Sequence, residues 1–231
     1  LQDTGGEVVI DVDARGRVSE TTWKAVGFWK DPGPECESYF DLIVKDFPLD
    51  GSFREGLEPA PKRVVESLDL KGLVAGRLVF HRPPGLRRKT DVKISADVTD
   101  ASLQFKGFPL LVDQLSGHVF FDAMNNGPQK TARWEFSKLR GRHGDTKIFG
   151  QGSFDGLPHP GVLDLKVKAE QLALDSDLYG ALADSQQNLW RLLEPSGLCD
   201  VTAKIDWTAV RGQKAIVTFP AETPVRIYNA R

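Results

Sequence analysis

Slid against itself by 125 residues, the chain matches without a gap. Arg15-Gly16-Arg17 falls on Arg140-Gly141-Arg142, Thr21 on Thr146, Gly27 on Gly152, Leu49-Asp50 on Leu174-Asp175, Leu57 on Leu182, Leu68 on Leu193 and Gly72-Leu73 on Gly197-Leu198. Lys89, Val92 and Ala96 then meet Lys214, Val217 and Ala221, giving 14 identities over the 92 positions from 15 to 106, where chance gives roughly six. Repeated sequence implies repeated packing, so the second copy must continue or stack on whatever the first one builds. The expected organisation is a repeat unit A over 15–139 and an incomplete unit B over 140–231, the 231 residues together reading as a fragment of a longer repeat protein.

Within each copy the apolar residues recur at period two. Val92, Ile94, Ala96 and Val98 alternate with Lys93, Ser95 and Asp97; Leu163, Leu165 and Val167 with Asp164, Lys166 and Lys168; Val201, Ala203, Ile205 and Trp207 with Thr202, Lys204 and Asp206. This is the signature of strands with one apolar and one polar face. Short breaks such as Gly33-Pro34, Asn125-Asn126-Gly127 and Pro158-His159-Pro160 suit antiparallel hairpins better than parallel crossovers. About thirteen strands are expected, near 7–13, 18–29, 37–45, 72–80, 90–98, 101–106, 116–123, 131–139, 146–154, 162–170, 198–207, 213–220 and 224–229.

One segment per copy departs from alternation. Leu178, Leu182, Leu189 and Leu193 recur at helical spacing behind Asp175, a suitable N-cap, and Pro195 and Gly197 stop the run. The counterpart from Asp50 to Leu68 carries Pro59 and Pro61, which predicts a kink or two short pieces there. Each unit is thus about seven strands and one amphipathic helix. Thirteen strands edge to edge span on the order of 60 Å, while a helix covers only about 10 Å of width. The uncovered apolar face must close on itself as a barrel or sandwich, be covered by another part of the protein or a second subunit, or curl into a trough holding ligand chains; periodicity alone leaves these open.

Composition and motifs bear on chemistry mostly by exclusion. Thirty Lys+Arg against 32 Asp+Glu give a formal charge of −2, so no basic field points to nucleic acid. No stretch approaches the roughly 20 apolar residues of a membrane helix. Cys36 and Cys199 lack metal-ligand spacing and read as two unpaired small hydrophobes. His81, His118, His143 and His159 are scattered, without a zinc motif, and read as surface or turn residues. Gly141-Arg142-His143-Gly144 and Gly150-Gln151-Gly152 lack the context of a phosphate loop and read as a turn and a strand interruption. The two Arg-Gly-Arg triplets read as turns with solvated arginines. Ser116, Ser137 and Ser196 have no His and Asp pattern near them. No catalytic residue, metal site or cofactor is expected, and the chain is read as not an enzyme.

The run from Leu163 to Asp175, then Leu178 to Leu182, Trp190-Arg191-Leu192-Leu193-Glu194-Pro195-Ser196-Gly197 and the strand Leu198 to Trp207 resemble the AsmA-like superfamily of large envelope proteins (the AsmA/TamB/YhdP type). Ala96 to Phe105, Phe108-Pro109 and Leu115 to Phe121 look like the paired strands those proteins place before a turn and strand. The resemblance implies an elongated, twisted antiparallel sheet curled into a U-shaped repeating β-groove with an apolar concave face. It also implies a place in the periplasm of a Gram-negative-type cell envelope, where phospholipid passes between inner and outer membranes during outer-membrane biogenesis. The partners would be phospholipid acyl chains, with both membranes engaged through parts outside these residues. Candidate groove residues are Phe40, Leu42, Val44, Leu78, Phe80, Val92, Ile94, Val98, Leu103, Phe105, Trp134, Phe154, Leu165, Val167, Val201, Ala203, Ile205, Trp207, Val217 and Phe219. The alternative is a structural or adhesive β-repeat, closed as a sandwich, that spans the envelope.

Overall fold

The computed structural model describes residues 8–55, 59–157, 161–208, 212–218 and 226–227. In order they form β1 (Val9–Val18), β2 (Thr21–Lys30), β3 (Glu37–Pro48), α1 (Gly51–Glu55), α2 (Pro59–Leu68), β4 (Lys71–Arg82), β5 (Asp91–Phe105), β6 (Phe108–Met124) and β7 (Thr131–His143). There follow β8 (Thr146–Leu157), β9 (Val162–Ala173), α3 (Ser176–Ala181), α4 (Asp184–Leu193), β10 (Pro195–Ser196), β11 (Leu198–Thr208), β12 (Gly212–Thr218) and β13 (Arg226–Ile227). Among the described residues, eleven strands make one sheet in the order β1 to β9, β11, β12, and β10 pairs with β13. Every neighbouring pair is antiparallel.

β1 and β12 are the two edges, so the sheet does not close into a barrel. The accessible surface is 15492 Å², about one and a half times the roughly 10,400 Å² expected of a compact monomer of this mass. A single wide layer explains the excess, because neither face is folded away against a second large sheet among the described residues.

Several backbone features stand 125 residues apart. β3 and β9 are both 12 residues long, and α2 and α4 both 10, each pair beginning at that spacing. Asp46 and Gln171 share a left-handed conformation, φ 55° and 56°, as do Asp69 and Glu194 at 40° and 43°. The Leu49 N–H donates to the Gly72 carbonyl at 2.9 Å, and the Leu174 N–H to that of Gly197 at 3.0 Å. Asp46 and Gln171 mark bulges in β3 and β9; Asp100, Gln114 and Lys138, at φ 47°, 51° and 54°, accompany register shifts in β5, β6 and β7. All five bulges lie at the helix-bearing end of the sheet, where they bend the strands and raise their twist.

The structure corrects several sequence expectations. The segment after Asp175 is two helices, because Leu182 and Ala183 are extended, with ψ 149° and 157°. Two short pieces, one of the forms expected in the first copy, occur there as α1 and α2, and the second copy, where a single helix was expected, has the pair α3 and α4. Strands expected at 90–98 and 101–106 are one bulged strand, β5, and β6 begins at Phe108 because its early half continues that ladder past the bulge at Gln114. The Arg-Gly-Arg triplets lie inside β1 and β7, with Trp23 and Val112 occupying the space over Gly16 and Gly141. Gly150 and Gly152 sit within an unbroken β8. The gapless match also fails after β11: Ala203 pairs with Val217, whereas Leu78 pairs with Ile94, so the spacing there is 123 and the connection shorter. Lys89 and Val92 are thus not the positional counterparts of Lys214 and Val217.

Candidate functional site

The register places the candidate residues on one face. One row crosses ten strands through Ala14, Ala25, Leu42, Leu78, Ile94, Phe121, Trp134, Phe154, Leu163 and Trp207. A second runs through Gly16, Trp23, Val44, Gly76, Ala96, Val119, Phe136, Gly152, Leu165 and Ile205. On one side of them lie Val12, Gly27, Phe40, Phe80, Val92, Ala123 and Ala132; on the other, Val74 pairs with Val98, and Gly150 with Val167, Ala203 and Val217 in turn. None of these positions carries a charge.

Most of these side chains are neither buried nor fully exposed: Phe40, Leu42, Val44, Leu78, Phe80, Val92, Ile94, Leu103, Trp134, Phe154, Leu165, Val167, Val201, Ala203 and Ile205 are half-buried. In a closed sandwich they would be core. Neighbouring side chains shade one another, as where the Phe121 and Trp134 rings stack with centroids 4.3 Å apart. Val98 is buried and Phe105 is exposed. Trp207 and Val217 are placed by backbone register alone, and Phe219 lies outside the described residues.

The helices close one end of the face. Leu178 and Ala181 of α3 join Leu110 of β6, Leu172 of β9 and Cys199 of β11 in a buried cluster, with Trp190, Ala169 and Val201 against it. Asp175 caps α3 by accepting from the Asp177 and Leu178 N–H groups at 3.0 Å, and Asp50 accepts likewise from Phe53 at 3.2 Å. Both cysteines are free thiols; burial, then the nearby Asp200 carboxylate, pushes the Cys199 thiol up.

The opposite face is charged and laced across strands. Arg77 donates through Nε and Nη2 to both oxygens of Asp41, at 2.8 and 2.6 Å, which holds that carboxyl below its ordinary range. Arg133 bridges Asp155 and Glu135 at 2.9 Å, and both acidic partners raise its guanidinium. Two charge patterns on two faces separate an aqueous side from an apolar side.

The candidate groove residues left out Trp23, Val119, Phe121 and Phe136 of the apolar rows, and Leu163, which the alternation already places on the apolar face. Val26 and Phe28 interrupt the polar alternation of β2 and hid Trp23, whereas Phe121 and Leu163 were readable by strict alternation from Val119 and Leu165. No group of His, Cys, Asp and Glu among the described residues could hold a metal ion, and no helix among them is long and apolar enough to cross a membrane. Comparison with protein-family models, with curated proteins and with solved structures gives no match.

Proposed function

We propose that this chain is a lipid-conducting segment of an AsmA-like protein, in which conduction itself needs no catalytic residue. Its uncharged sheet face takes phospholipid acyl chains, in transport between the membranes of a bacterial envelope and in outer-membrane biogenesis. The observation that carries the reading is the apolar row from Ala14 to Trp207, ten strands long, with its described side chains left half-open by a sheet that does not close. Apolar area left wet costs roughly 25 cal/mol per Å², and an acyl chain laid along it removes that cost without needing specific polar contacts. In this reading units A and B are successive copies whose apolar faces join, and the bulged, helix-covered end gives the sheet its curl into a groove.

Photocrosslinking in the intact envelope tests it. Probes at Ile94, Val167 and Ile205 face the apolar side; probes at Lys93, Lys166 and Lys204, their neighbours in sequence, face the charged side. Lipid adducts confined to the first set are expected. Protein adducts alone, or equal labelling of both sets, would end the proposal.

A further inference from the structure

On the charged face, the β5–β6 pairing brings His118 to Asp97 and Ser95, which lie 21 and 23 positions earlier in the chain. Ser95 and Asp97 are alternate residues of β5, and His118 stands opposite Asp97 on β6. The His118 Nδ1 lies 2.8 Å from Asp97 Oδ1, and its Nε2 lies 3.3 Å from Ser95 Oγ. An ionised carboxylate only accepts, so Nδ1 carries the ring proton. In the neutral ring Nε2 then accepts from the Ser95 hydroxyl. Elsewhere on this face Asp41, Asp155 and Asp164 face Arg77, Arg133 and Lys204, donors without a ring nitrogen that can accept. His118 is the histidine among the described residues whose ring nitrogens meet both a carboxylate and a serine hydroxyl.

We propose that Ser95, His118 and Asp97 act as nucleophile, base and orienting acid toward a water-soluble ester. Ser95 is exposed, and a depression of about 500 Å³, lined by His118, Asp97, Thr99, Ser116, Ser137 and Lys138, opens at its two partners and stops short of Ser95. The bond from Ser95 Oγ to the ester carbonyl carbon forms as the hydroxyl proton passes to His118 Nε2. The carbon–alkoxy bond then breaks, and His118 returns the proton to the departing alkoxide, which leaves as an alcohol. Water, deprotonated by His118, attacks the acylated Ser95 and releases the carboxylic acid, restoring the serine. These are the donor and acceptor roles of serine hydrolases. The site lies on the side of the sheet away from the apolar rows, so its failure leaves the lipid reading untouched.

The test is to treat the 231-residue chain with a fluorophosphonate probe and, separately, with p-nitrophenyl acetate. One adduct mapping to Ser95 is expected, with nitrophenolate release that disappears in Ser95→Ala. General-base catalysis is worth about 10² to 10⁴ in rate, so His118→Gln should slow labelling at least 100-fold, and Asp97→Asn at least tenfold, with unchanged circular dichroism. No adduct, no turnover, an adduct elsewhere, or labelling of Ser95 indifferent to His118→Gln would each overturn the proposal and leave a cross-strand hydrogen-bond network only.

Discussion

The Thr146 hydroxyl donates to the Gln171 carbonyl at 3.1 Å, across the β8–β9 hairpin and onto the residue that forms the β9 bulge. Thr21 makes the same bond to Asp46 at 2.9 Å, 125 residues earlier. These are the two buried polar residues among those described, 2% exposed for Thr146 and 9% for Thr21. A bulge takes one carbonyl out of the ladder, and the threonine satisfies it. Thr146→Val keeps shape and removes the donor, so it should cost about 1–2 kcal/mol, with Thr21→Val costing less because water can reach its site. Urea melts of the two variants check the order; equal stability to the parent would show that the bulges do not need the bond.

Gly152 should resist any side chain. A Cβ there would stand 2.2 Å from the Asp164 carbonyl oxygen, and at Gly27 it would stand 2.1 Å from that of Tyr39. Both obstacles are backbone of the neighbouring strand, which cannot swing aside as a flexible side chain can. Gly152→Ala is expected to destabilise by roughly 1–3 kcal/mol, whereas Gly51→Ala, with open space around it, should be nearly neutral. Thermal melts that rank the two the other way would contradict the strand spacing.

The helices separate buried from open apolar positions that the sequence pattern treats alike. Leu178 is 7% exposed and Leu189 is 56% exposed. Leu178→Asp should cost several kcal/mol, since it puts an unpaired charge into the cluster with Leu110 and Cys199. Leu189→Asp should change stability by no more than about 0.5 kcal/mol. Urea denaturation of both variants distinguishes a buried stripe along the whole segment, which would make the two equally damaging.

That contrast marks where sequence reading reached its end. The strands were legible because one face of an open sheet stays in water, which imprints period two on Lys93-Ile94-Ser95 or Lys166-Val167-Lys168. The break at Leu182–Ala183 was not, since neither residue is a helix breaker and the leucines keep helical spacing across it. Its trace lay in the other copy: Pro59 opens α2, as proline does at a first helical turn, and the spacing carries that start onto Asp184. The meeting of Ser95 with His118 depends on the β5–β6 register, which the bulge at Asp100 helps set and which no local pattern announces. The apolar rows were legible in part of their membership but not in order, because order is a property of pairing.

Acid should loosen the β3–β4 ladder through Asp41. Arg77 lowers its carboxyl in the folded chain, so the contribution is present above the unfolded carboxylate range near pH 4 and is lost as pH falls through the lower folded value. Asp41→Asn removes it at every pH. Melting temperatures of parent and variant should therefore differ at pH 7 and converge as pH falls through the lowered folded value, by a modest amount because Arg77 is 58% exposed. A constant gap across that range would assign the difference to something other than the ion pair.

The apolar face supports one more contrast, between stability and lipid capture. Ile94 and Val167 are half-buried on the open face, held in place by backbone pairing on both sides of their strands. A carboxylate at either position keeps partial access to water, so Ile94→Asp and Val167→Asp should each cost only about 1 kcal/mol, well below Leu178→Asp. An acyl chain laid over the same positions would have to desolvate both charges, which is prohibitive for a ligand with no cation to offer. The double variant should therefore keep a cooperative urea transition while losing phospholipid that the parent retains in native mass spectrometry. Unfolding of the double variant would mean that these side chains are core, and retention of lipid by a folded double variant would mean that the chains bind elsewhere.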